Sequence, residues 1–268
     1  MIPMDNVIRS LKRLSIKAAV IGAVLCIFLP AFSRALGPKG FASQPRNERG
    51  LDTAVEGARL FYVPELGKQI AVFDSVWMPR EKNNLMRGII DANDLSWAHN
   101  VLEIGTGSGI LGLMALQRGA KKVVATDINP RAVDNARYNA KKMGREDSFE
   151  VRLVKAADPT AYAVIAPTEK FDLIISDPPW NEGKSRQFRD YGYFDEGWIL
   201  LTSLIKGLRS HLNRGGKAWV YLGEKDAIAQ VMELAPRSGL KAMPINRCGD
   251  RLYPSTVIEL TVKVGTDE

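Results

Sequence analysis

"NVLEIGTGSGILGLMALQRGA", residues 100–120, decides the fold of this chain. Val101–Ile104 is a short apolar run typical of a buried strand, and an apolar stretch with helical spacing follows the glycines. Between the two lie Gly105, Gly107 and Gly109, spaced G-x-G-x-G. A glycine turn between a strand and a helix lets a ligand approach the backbone, because no side chain blocks it. The stretch therefore predicts a strand, a ligand-binding turn and a helix in succession.

The next strand ends in an acid at the spacing that a nucleoside site requires. Residues 121–126 are predicted to form this strand, and Asp127 follows 22 residues after Gly105. A carboxylate about 20 residues beyond the glycine turn accepts hydrogen bonds from ribose hydroxyls in βαβ nucleoside sites. Asn129-Pro130 then begins another helix, since proline is favoured in the first helical turn. We expect Asp127 to bind the ribose of a cofactor, with its neighbour Ile128 in the same site.

The remainder of the chain alternates between strands and helices. Further strands are predicted at residues 149–154, 171–176, 218–222, 240–245 and 257–264, further helices at 198–212 and 225–238, and a turn at Gly215-Gly216. Such alternation is typical of a parallel α/β sheet with helices on both faces.

The basic character of the chain belongs to its N-terminal segment. The formal net charge is +7, but residues 1–50 hold eight basic and two acidic side chains, and the other 218 residues hold 29 and 28. A nucleic-acid enzyme is expected to carry a basic patch on its folded body. The nearly neutral body argues against that class on bulk charge alone.

An uncharged run, AAVIGAVLCIFLPAF, occupies residues 18–32 between Lys17 and Arg34. A membrane span needs about 20 apolar residues, with a lower limit near 17. The run predicts a membrane anchor over residues 16–33, with a secretory signal, an interfacial helix and a targeting leader as alternatives. We expect an anchor segment over residues 1–36, a linker over 37–50 and a folded domain over 51–268. If this domain needs a cytosolic cofactor, it must lie on the cytosolic side.

Cysteine and histidine do not indicate a metal site. The chain has two of each, Cys26, Cys248, His99 and His211, without the spacing of a metal-binding motif. We expect no metal, and we interpret both histidines as ordinary packed or surface residues.

Three stretches together carry a family resemblance: VLEIGTGSGILGL, VVATDINPRAVDNARYNA and FDLIISDPPW. With these motifs, residues 65–265 resemble a class I S-adenosylmethionine-dependent methyltransferase. The resemblance implies a Rossmann-like sheet of seven strands whose last strand is antiparallel, and S-adenosyl-L-methionine as the cofactor. The nicotinamide fingerprint G-x-G-x-x-G is not matched, because the third glycine comes one residue early.

Asp177-Pro178-Pro179-Trp180 resembles the corner of methyltransferases that modify planar nitrogens. The resemblance implies that Asp177 and the Pro178 carbonyl accept the two N–H bonds of the acceptor, which favours the pyramidal nitrogen that attacks. Proline fixes the backbone dihedral that aims this carbonyl. Pro179 and Trp180 are assigned to the substrate, with the indole as a flat apolar face on which a planar group stacks.

Three further residues are assigned through the same resemblance. Glu103 is implied to lie near the methionine amino end of the cofactor, and Asp158 to meet the adenine. Residues 76–81, VWMPRE, resemble a stretch that precedes the core in glutamine methyltransferases, and we assign Arg80 within it to the substrate.

The order of motifs leaves the acceptor open. Release-factor glutamine methyltransferases and adenine- or guanine-amino methyltransferases of RNA and DNA share this order. Tryptophan in the corner is more typical of adenine enzymes, whereas the upstream stretch and the neutral body favour a protein or small-molecule nitrogen. A basic-aromatic stretch, residues 184–194, fits either a nucleic-acid contact or a mobile surface loop. A module that binds the cofactor without catalysis is the third alternative.

Overall fold

The computed structural model describes residues 58–78, 85–247 and 255–263. The strands are β1 (Arg59–Val63), β2 (Lys68–Val72), β3 (Asn100–Ile104), β4 (Lys122–Asp127), β5 (Phe149–Leu153), β6 (Phe171–Ser176), β7 (Asn181–Glu182), β8 (Phe194–Asp195), β9 (Leu212–Leu222), β10 (Leu240–Arg247) and β11 (Thr256–Val262). The α-helices are α1 (Leu85–Ala92), α2 (Ile110–Gln117), α3 (Pro130–Lys142), α4 (Ile199–His211) and α5 (Lys225–Arg237).

Seven of the described strands form one sheet in the order β10-β11-β9-β6-β3-β4-β5. Strands β3, β4, β5, β6 and β9 pair in parallel, while β11 runs antiparallel to β9 and β10. The expectation of a Rossmann-like, mostly parallel seven-stranded sheet with an antiparallel last strand is confirmed.

Helices cover both faces of this sheet. Alternate residues of each central strand point to opposite faces, so that Val101 packs with α1, α2 and α3 while Leu102 packs with α4 and α5. Both cores consist mainly of aliphatic side chains, and the central strands are almost fully buried. Burial on both faces explains why these strands read as continuous apolar runs.

A two-stranded hairpin, β1–β2, was not predicted and packs against α3. The side chains of Asn135 and Asn139, one helical turn apart on α3, hydrogen-bond the backbone at the end of β2. Asn139 Oδ1 accepts from Ala71 N at 2.9 Å, and Asn135 Oδ1 accepts from Phe73 N at 2.8 Å. Both amide nitrogens donate to Ala71 O. The two buried amides thus act toward β2 as a neighbouring strand would.

One expectation needs correction, and another concerns residues that the structure does not describe. Gly215 and Gly216 lie inside the eleven-residue strand β9, with Gly215 at φ 79°, so the predicted turn is wrong. The predicted anchor and linker, residues 1–50, lie outside the described residues. Within the described part of the chain, no helix has both the length and the apolar character to cross a bilayer.

His211 is a packed residue, as expected. It is buried, and its ring stacks on Tyr162 with the centroids 4.3 Å apart. Its Nδ1 lies 3.1 Å from the carbonyl oxygen of Glu169. His99 is exposed.

Candidate active site

The candidate site lies where the chain reverses its direction of travel across the sheet. From β3 the chain continues to β4 and β5 on one side, and then returns to β6 and β9 on the other. In open α/β sheets ligands bind at the carboxyl ends of the strands beside such a switch point. The glycine turn follows β3 and the Pro-Pro corner follows β6, and Ser176 Oγ donates to Ile104 O at 2.9 Å between these two strand ends.

The glycine turn is held by backbone hydrogen bonds and has the conformation that only glycine adopts readily. The φ angles are 76° at Gly105, 55° at Gly107 and 86° at Gly109. The amides of Gly105 and Thr106 both donate to Thr126 O, at 2.9 and 3.0 Å. A Cβ added at Gly105 or Gly107 would meet no atom within 4 Å. The backbone at these two glycines therefore faces open space, which fits the close approach of a nucleoside cofactor.

The third glycine serves packing instead. A Cβ at Gly109 would lie 3.3 Å from Ala136 on α3. The spacing G-x-G-x-G thus combines two glycines at an open surface with one at the contact between the turn and a helix.

Asp127 lies directly beside the turn, as predicted. Its Oδ2 accepts from Gly107 N and its Oδ1 from Asn129 N, both at 2.8 Å. Burial raises the pKa of this carboxyl above its ordinary value, opposed by the amides of Asn129, Gly107 and Ile128. Each carboxylate oxygen keeps a second lone-pair direction, so both can also accept from the vicinal hydroxyls of a ribose.

Glu103 is directed beneath the turn. It is only 1% exposed, and its Oε2 accepts from Thr106 Oγ1 at 2.7 Å. A Cβ at Gly112 on α2 would lie 2.6 Å from Oε2. Burial raises the pKa of Glu103 to about 8 despite these hydrogen bonds. The contacts identify Glu103 as a support of the turn, and its contact with the methionine end of a cofactor stays a prediction.

The assignments of Asp158 and Arg80 have less support from the structure. Asp158 is exposed, and its Oδ1 accepts from Thr160 Oγ1 at 2.7 Å. The segment that leads to it begins beside Asp127, because Val154 N donates to Asp127 O at 2.8 Å. Its contact with adenine stays a prediction. Arg80 lies outside the described residues.

The Pro-Pro corner is fixed by its tryptophan. Pro178 and Pro179 are buried, and Asp177 and Trp180 are half-buried. The indole Nε1 of Trp180 donates to Tyr221 O at 3.2 Å, and the two rings meet edge to face at 5.1 Å. A Cβ at Gly223 would lie 2.2 Å from the indole. The ring therefore occupies the space that a side chain at the end of β9 would fill, which limits its freedom.

Residues 181–198, here called the acceptor loop, follow the corner. The loop contains the two-residue strands β7 and β8, which pair in parallel, and two short 3-10 turns. Asn181 Nδ2 donates to Tyr193 O at 3.3 Å, and the Tyr193 ring meets the Trp77 ring at 4.4 Å. Trp77 is 39% exposed and Tyr193 46%. Asp195 fixes the far end of the loop by accepting from two amides in the first turn of α4.

Sequence reasoning missed three asparagines that connect these parts. Asn129 caps α3, Asn135 and Asn139 follow along the helix, and each is at most 6% exposed. The signal was present, because polar residues at 135 and 139 fall on the helix face of Ala132 and Ala136, which is the buried face. Buried amides at helical spacing need hydrogen-bond partners, here the backbone of residues 71–75.

Comparison with known proteins indicates the family to which this geometry corresponds. The profile of the ribosomal protein L11 methyltransferase family (PrmA) matches residues 89–177, the stretch from α1 to the corner. Release factor glutamine methyltransferase of Koribacter versatilis is 28% identical over 66% of this chain and 65% of its own length. A Methanocaldococcus jannaschii protein, provisionally named a protein N5-glutamine methyltransferase, is 29% identical over 63% of this chain and 84% of that protein.

The chain is a class I S-adenosylmethionine-dependent methyltransferase. Its cofactor is S-adenosyl-L-methionine.

A relative of this methyltransferase that is named for tRNA aligns over a shorter stretch. The tRNA1(Val) (adenine(37)-N6)-methyltransferase of Phocaeicola vulgatus is 37% identical, but only over 32% of this chain and 35% of that enzyme. Among solved structures, the hMettl16 catalytic domain in complex with the MAT2A 3'UTR hairpin 1 covers 72% of this chain and 76% of that one, with a TM-score of 0.53 and 18% identity. At this identity the likeness shows the fold alone.

Proposed function

We propose that the methyltransferase transfers a methyl group to a planar nitrogen of a protein, in the first instance an amide. The observation that carries the proposal is the Asp177-Pro178-Pro179-Trp180 corner at the carboxyl end of β6, one strand away from the glycine turn. S-adenosylmethionine would supply an electrophilic methyl group, whose bond to the sulfonium sulfur breaks as the bond to nitrogen forms, with S-adenosylhomocysteine as the leaving thioether.

The chain supplies orientation and hydrogen-bond acceptors. The Asp177 carboxylate and the Pro178 carbonyl accept the two N–H bonds of the acceptor nitrogen, which withdraws the lone pair from conjugation. The nitrogen gains a positive charge as its new bond to carbon forms, so its proton becomes acidic and leaves to Asp177 or to water. Alignment of nitrogen, methyl carbon and sulfur accounts for much of the rate.

For the cofactor, we propose that Gly105 and Gly107 offer their backbone to the methionine portion and that Asp127 binds the ribose hydroxyls. Ile128 and Asp158 line the adenine side. Gly109 and Glu103 act on the shape of the turn, through its packing on α3 and its contact with Thr106. The two open glycines and the acceptor capacity of Asp127 support this assignment.

Two observations favour a protein acceptor. The acceptor loop holds three basic and four acidic side chains, and Lys184 lies 3.6 Å from Glu196. A surface that binds a phosphate backbone is expected to carry an excess of positive charge. The alignments with relatives named for protein glutamine also extend over about twice as much of this chain as the alignment with the tRNA enzyme.

The test is transfer of a labelled methyl group from S-adenosylmethionine to cell extract. We expect labelled product that is sensitive to protease, and we expect Asp177→Ala to lower the transfer by at least about a hundredfold, because positioning is lost. Asp134→Ala, which removes an exposed carboxylate on α3, is the matched control and leaves the transfer unchanged.

Other outcomes contradict parts of the proposal. Product that is sensitive to nuclease instead of protease assigns the enzyme to the adenine- or guanine-amino class. Wild-type protein that binds S-adenosylhomocysteine but transfers nothing to protein, RNA, DNA or small molecules is the non-catalytic module.

A separate proposal concerns location. We propose that residues 16–33 tether the protein to a membrane with the catalytic domain on the cytosolic side, where S-adenosylmethionine is made. The uncharged run between Lys17 and Arg34 supports it. Fractionation of cells that express the full chain and a chain lacking residues 1–34 tests it: both in the soluble fraction contradicts the tether.

A further inference from the structure

Residues 73–78 connect the two sides of the candidate site. The carbonyl of Ser75 accepts from Asn129 Nδ2 at 2.7 Å, just beyond the end of β4. Two residues later, Trp77 meets Tyr193 of the acceptor loop, which follows β6. Since β3 lies between β4 and β6, this segment joins structures on either side of the strand that carries the glycine turn.

Asn129 lies at the centre of this connection and all its polar groups are engaged. Its backbone amide donates to Asp127 Oδ1 at 2.8 Å, its Oδ1 accepts from Arg131 N at 3.0 Å as the cap of α3, and its Nδ2 donates to Ser75 O. The residue is 6% exposed. A buried residue that makes hydrogen bonds to these three partners, one through its backbone and two through its side chain, holds each of them to a narrow geometry.

The other interactions of the segment lie on either side of Ser75. Val76 is 6% exposed, and its amide donates to Phe73 O at 3.1 Å. Ser75 is exposed and has a φ of 66°, a conformation that costs a non-glycine residue energy and persists only when its surroundings impose it. Upstream, Asn135 and Asn139 hold Ala71 and Phe73. Downstream, Trp77 packs on Tyr193 and Gly192. At Ser75 itself, the side-chain amide of Asn129 supplies a hydrogen bond to the start of α3.

We propose that Asn129 is a positioning residue that couples occupancy of the cofactor site to the order of residues 73–78 and of their contact with the acceptor loop. The proposal rests on the proposed role of Asp127 in ribose binding. A ligand held by Asp127 restrains Oδ1 and thereby the amide of Asn129. The side chain of Asn129 passes this restraint to Ser75, so the acceptor side becomes ordered after the cofactor binds. Reciprocity requires that an ordered segment also strengthens cofactor binding by the same factor.

The test is hydrogen exchange of the full chain with and without saturating S-adenosylhomocysteine, together with calorimetric titration of the same ligand. We expect the ligand to slow exchange at the amides of residues 74–78 by at least about fivefold, the lower range of known couplings. Asn129→Ser keeps a cap for α3 but is too short to reach Ser75. In this variant the ligand-dependent slowing is lost, and the affinity for S-adenosylhomocysteine falls by a similar factor.

A matched control separates this from general destabilisation. Asn93 Nδ2 also donates to a backbone carbonyl, that of Ile89 on α1, at 2.7 Å; Asn93 itself directly follows α1, away from the site. Asn93→Ser leaves both the ligand-dependent slowing and the affinity unchanged. A purely structural role of Asn129 would instead raise exchange along α3 equally with and without ligand.

The outcomes are distinguishable. If wild-type protein binds S-adenosylhomocysteine without slower exchange at residues 74–78, the coupling is wrong and the proposed function stands. If Asn129→Ser keeps the slowing, Asn129 is not the residue that transmits it. If wild-type protein does not bind S-adenosylhomocysteine at all, the proposed cofactor site fails and the coupling with it. The wild-type measurements need no variant, so they decide whether the ligand orders residues 74–78 even if Asn129→Ser does not fold.

Discussion

The cofactor side and the acceptor side of the site are built by different means. On the cofactor side, the glycine turn and Asp127 are held by backbone amides and by buried partners. On the acceptor side, the loop after the corner uses two-residue strands, short 3-10 turns and exposed aromatic rings. A cofactor that is the same for every class I enzyme suits a rigid site, whereas the acceptor differs from enzyme to enzyme. The side for the shared cofactor therefore depends mainly on backbone hydrogen bonds, whereas the side for the variable acceptor depends mainly on side chains.

The largest expected effect is on cofactor affinity, and it differs between the carboxylates of the two sides. Asp127→Ala removes the proposed acceptor of ribose hydroxyls and the partner of Gly107 N. We expect a loss of about 3 kcal/mol in S-adenosylhomocysteine binding, or roughly a hundredfold in Kd. Asp177→Ala leaves this Kd within about threefold, because in the proposed mechanism that carboxylate binds the acceptor nitrogen. Calorimetric titration measures both, with Asp134→Ala as the control. Equal losses of affinity in the two variants would contradict the division.

A steric change confined to the acceptor side has the next largest effect. Gly223→Ala places a Cβ in the space of the Trp180 indole, so the corner shifts. We expect kcat to fall by about 10- to 100-fold, since displacements of about 1 Å have effects of this size. Cofactor affinity is retained. Gly88→Ala on α1, where a Cβ meets nothing within 4 Å, is the matched control and keeps full activity. Unchanged kcat in Gly223→Ala would show that Trp180 need not be fixed.

The third effect belongs to the cofactor side and depends on pH. The pKa of Glu103 is raised to about 8 in the folded chain by burial, whereas an unfolded glutamate titrates near about 4.3. Folding therefore binds a proton between these values. The free energy of unfolding falls as pH rises through this window, on the order of 2 kcal/mol after relaxation, and levels off above about pH 8.

Glu103→Gln reproduces the neutral side chain and removes this dependence. Denaturant unfolding of both proteins from pH 5 to 9 measures the difference, which we expect to grow with pH in favour of the variant. Parallel pH profiles would mean that Glu103 is ionised in the folded protein.

The smallest effect concerns the segment between the two sides. Ser75→Gly relieves the positive φ, and the gain is partly offset by the greater freedom of glycine in the unfolded chain. We expect a stabilisation of about 0.5 kcal/mol, which shifts Tm by roughly 1–2 °C. Ser238→Gly, at an ordinary φ of −93°, is the control and destabilises slightly. A lower Tm in Ser75→Gly would show that the Ser75 side chain stabilises the turn.

The sequence predicted the cofactor side far better than the acceptor side. Gly105, Gly107 and Asp127 lie together as expected, because their arrangement follows from strand ends and a tight turn, which are local in sequence. The Trp77–Tyr193 contact joins residues far apart along the chain, and nothing in either stretch specifies the other. The position of Gly223 beneath Trp180 depends on the pairing of β6 with β9, which sequence periodicity does not reveal.

Interpretation by type of residue was wrong for one pair of glycines. Gly215-Gly216 suggested a turn, but the pair lies within β9, because the strand continues past a register shift against β6. For Glu103, the contact with the cofactor stays a prediction, and its described contacts are with Thr106 and the first turn of α2. The burial of Glu103 could not be predicted from its position alone, because an acid at a strand end can lie either in a ligand site or beneath the turn.

The asparagine pair on α3 also has a consequence for solubility. A short hairpin at the margin of a domain normally presents a row of unsatisfied amides and carbonyls, to which another polypeptide can add itself as an extra strand. Asn135 and Asn139 already occupy the amides of Ala71 and Phe73 and the carbonyl of Ala71. Addition of a strand along the outer edge of β2 would first have to displace these two buried carboxamides, so the pair protects that edge of the hairpin against self-association.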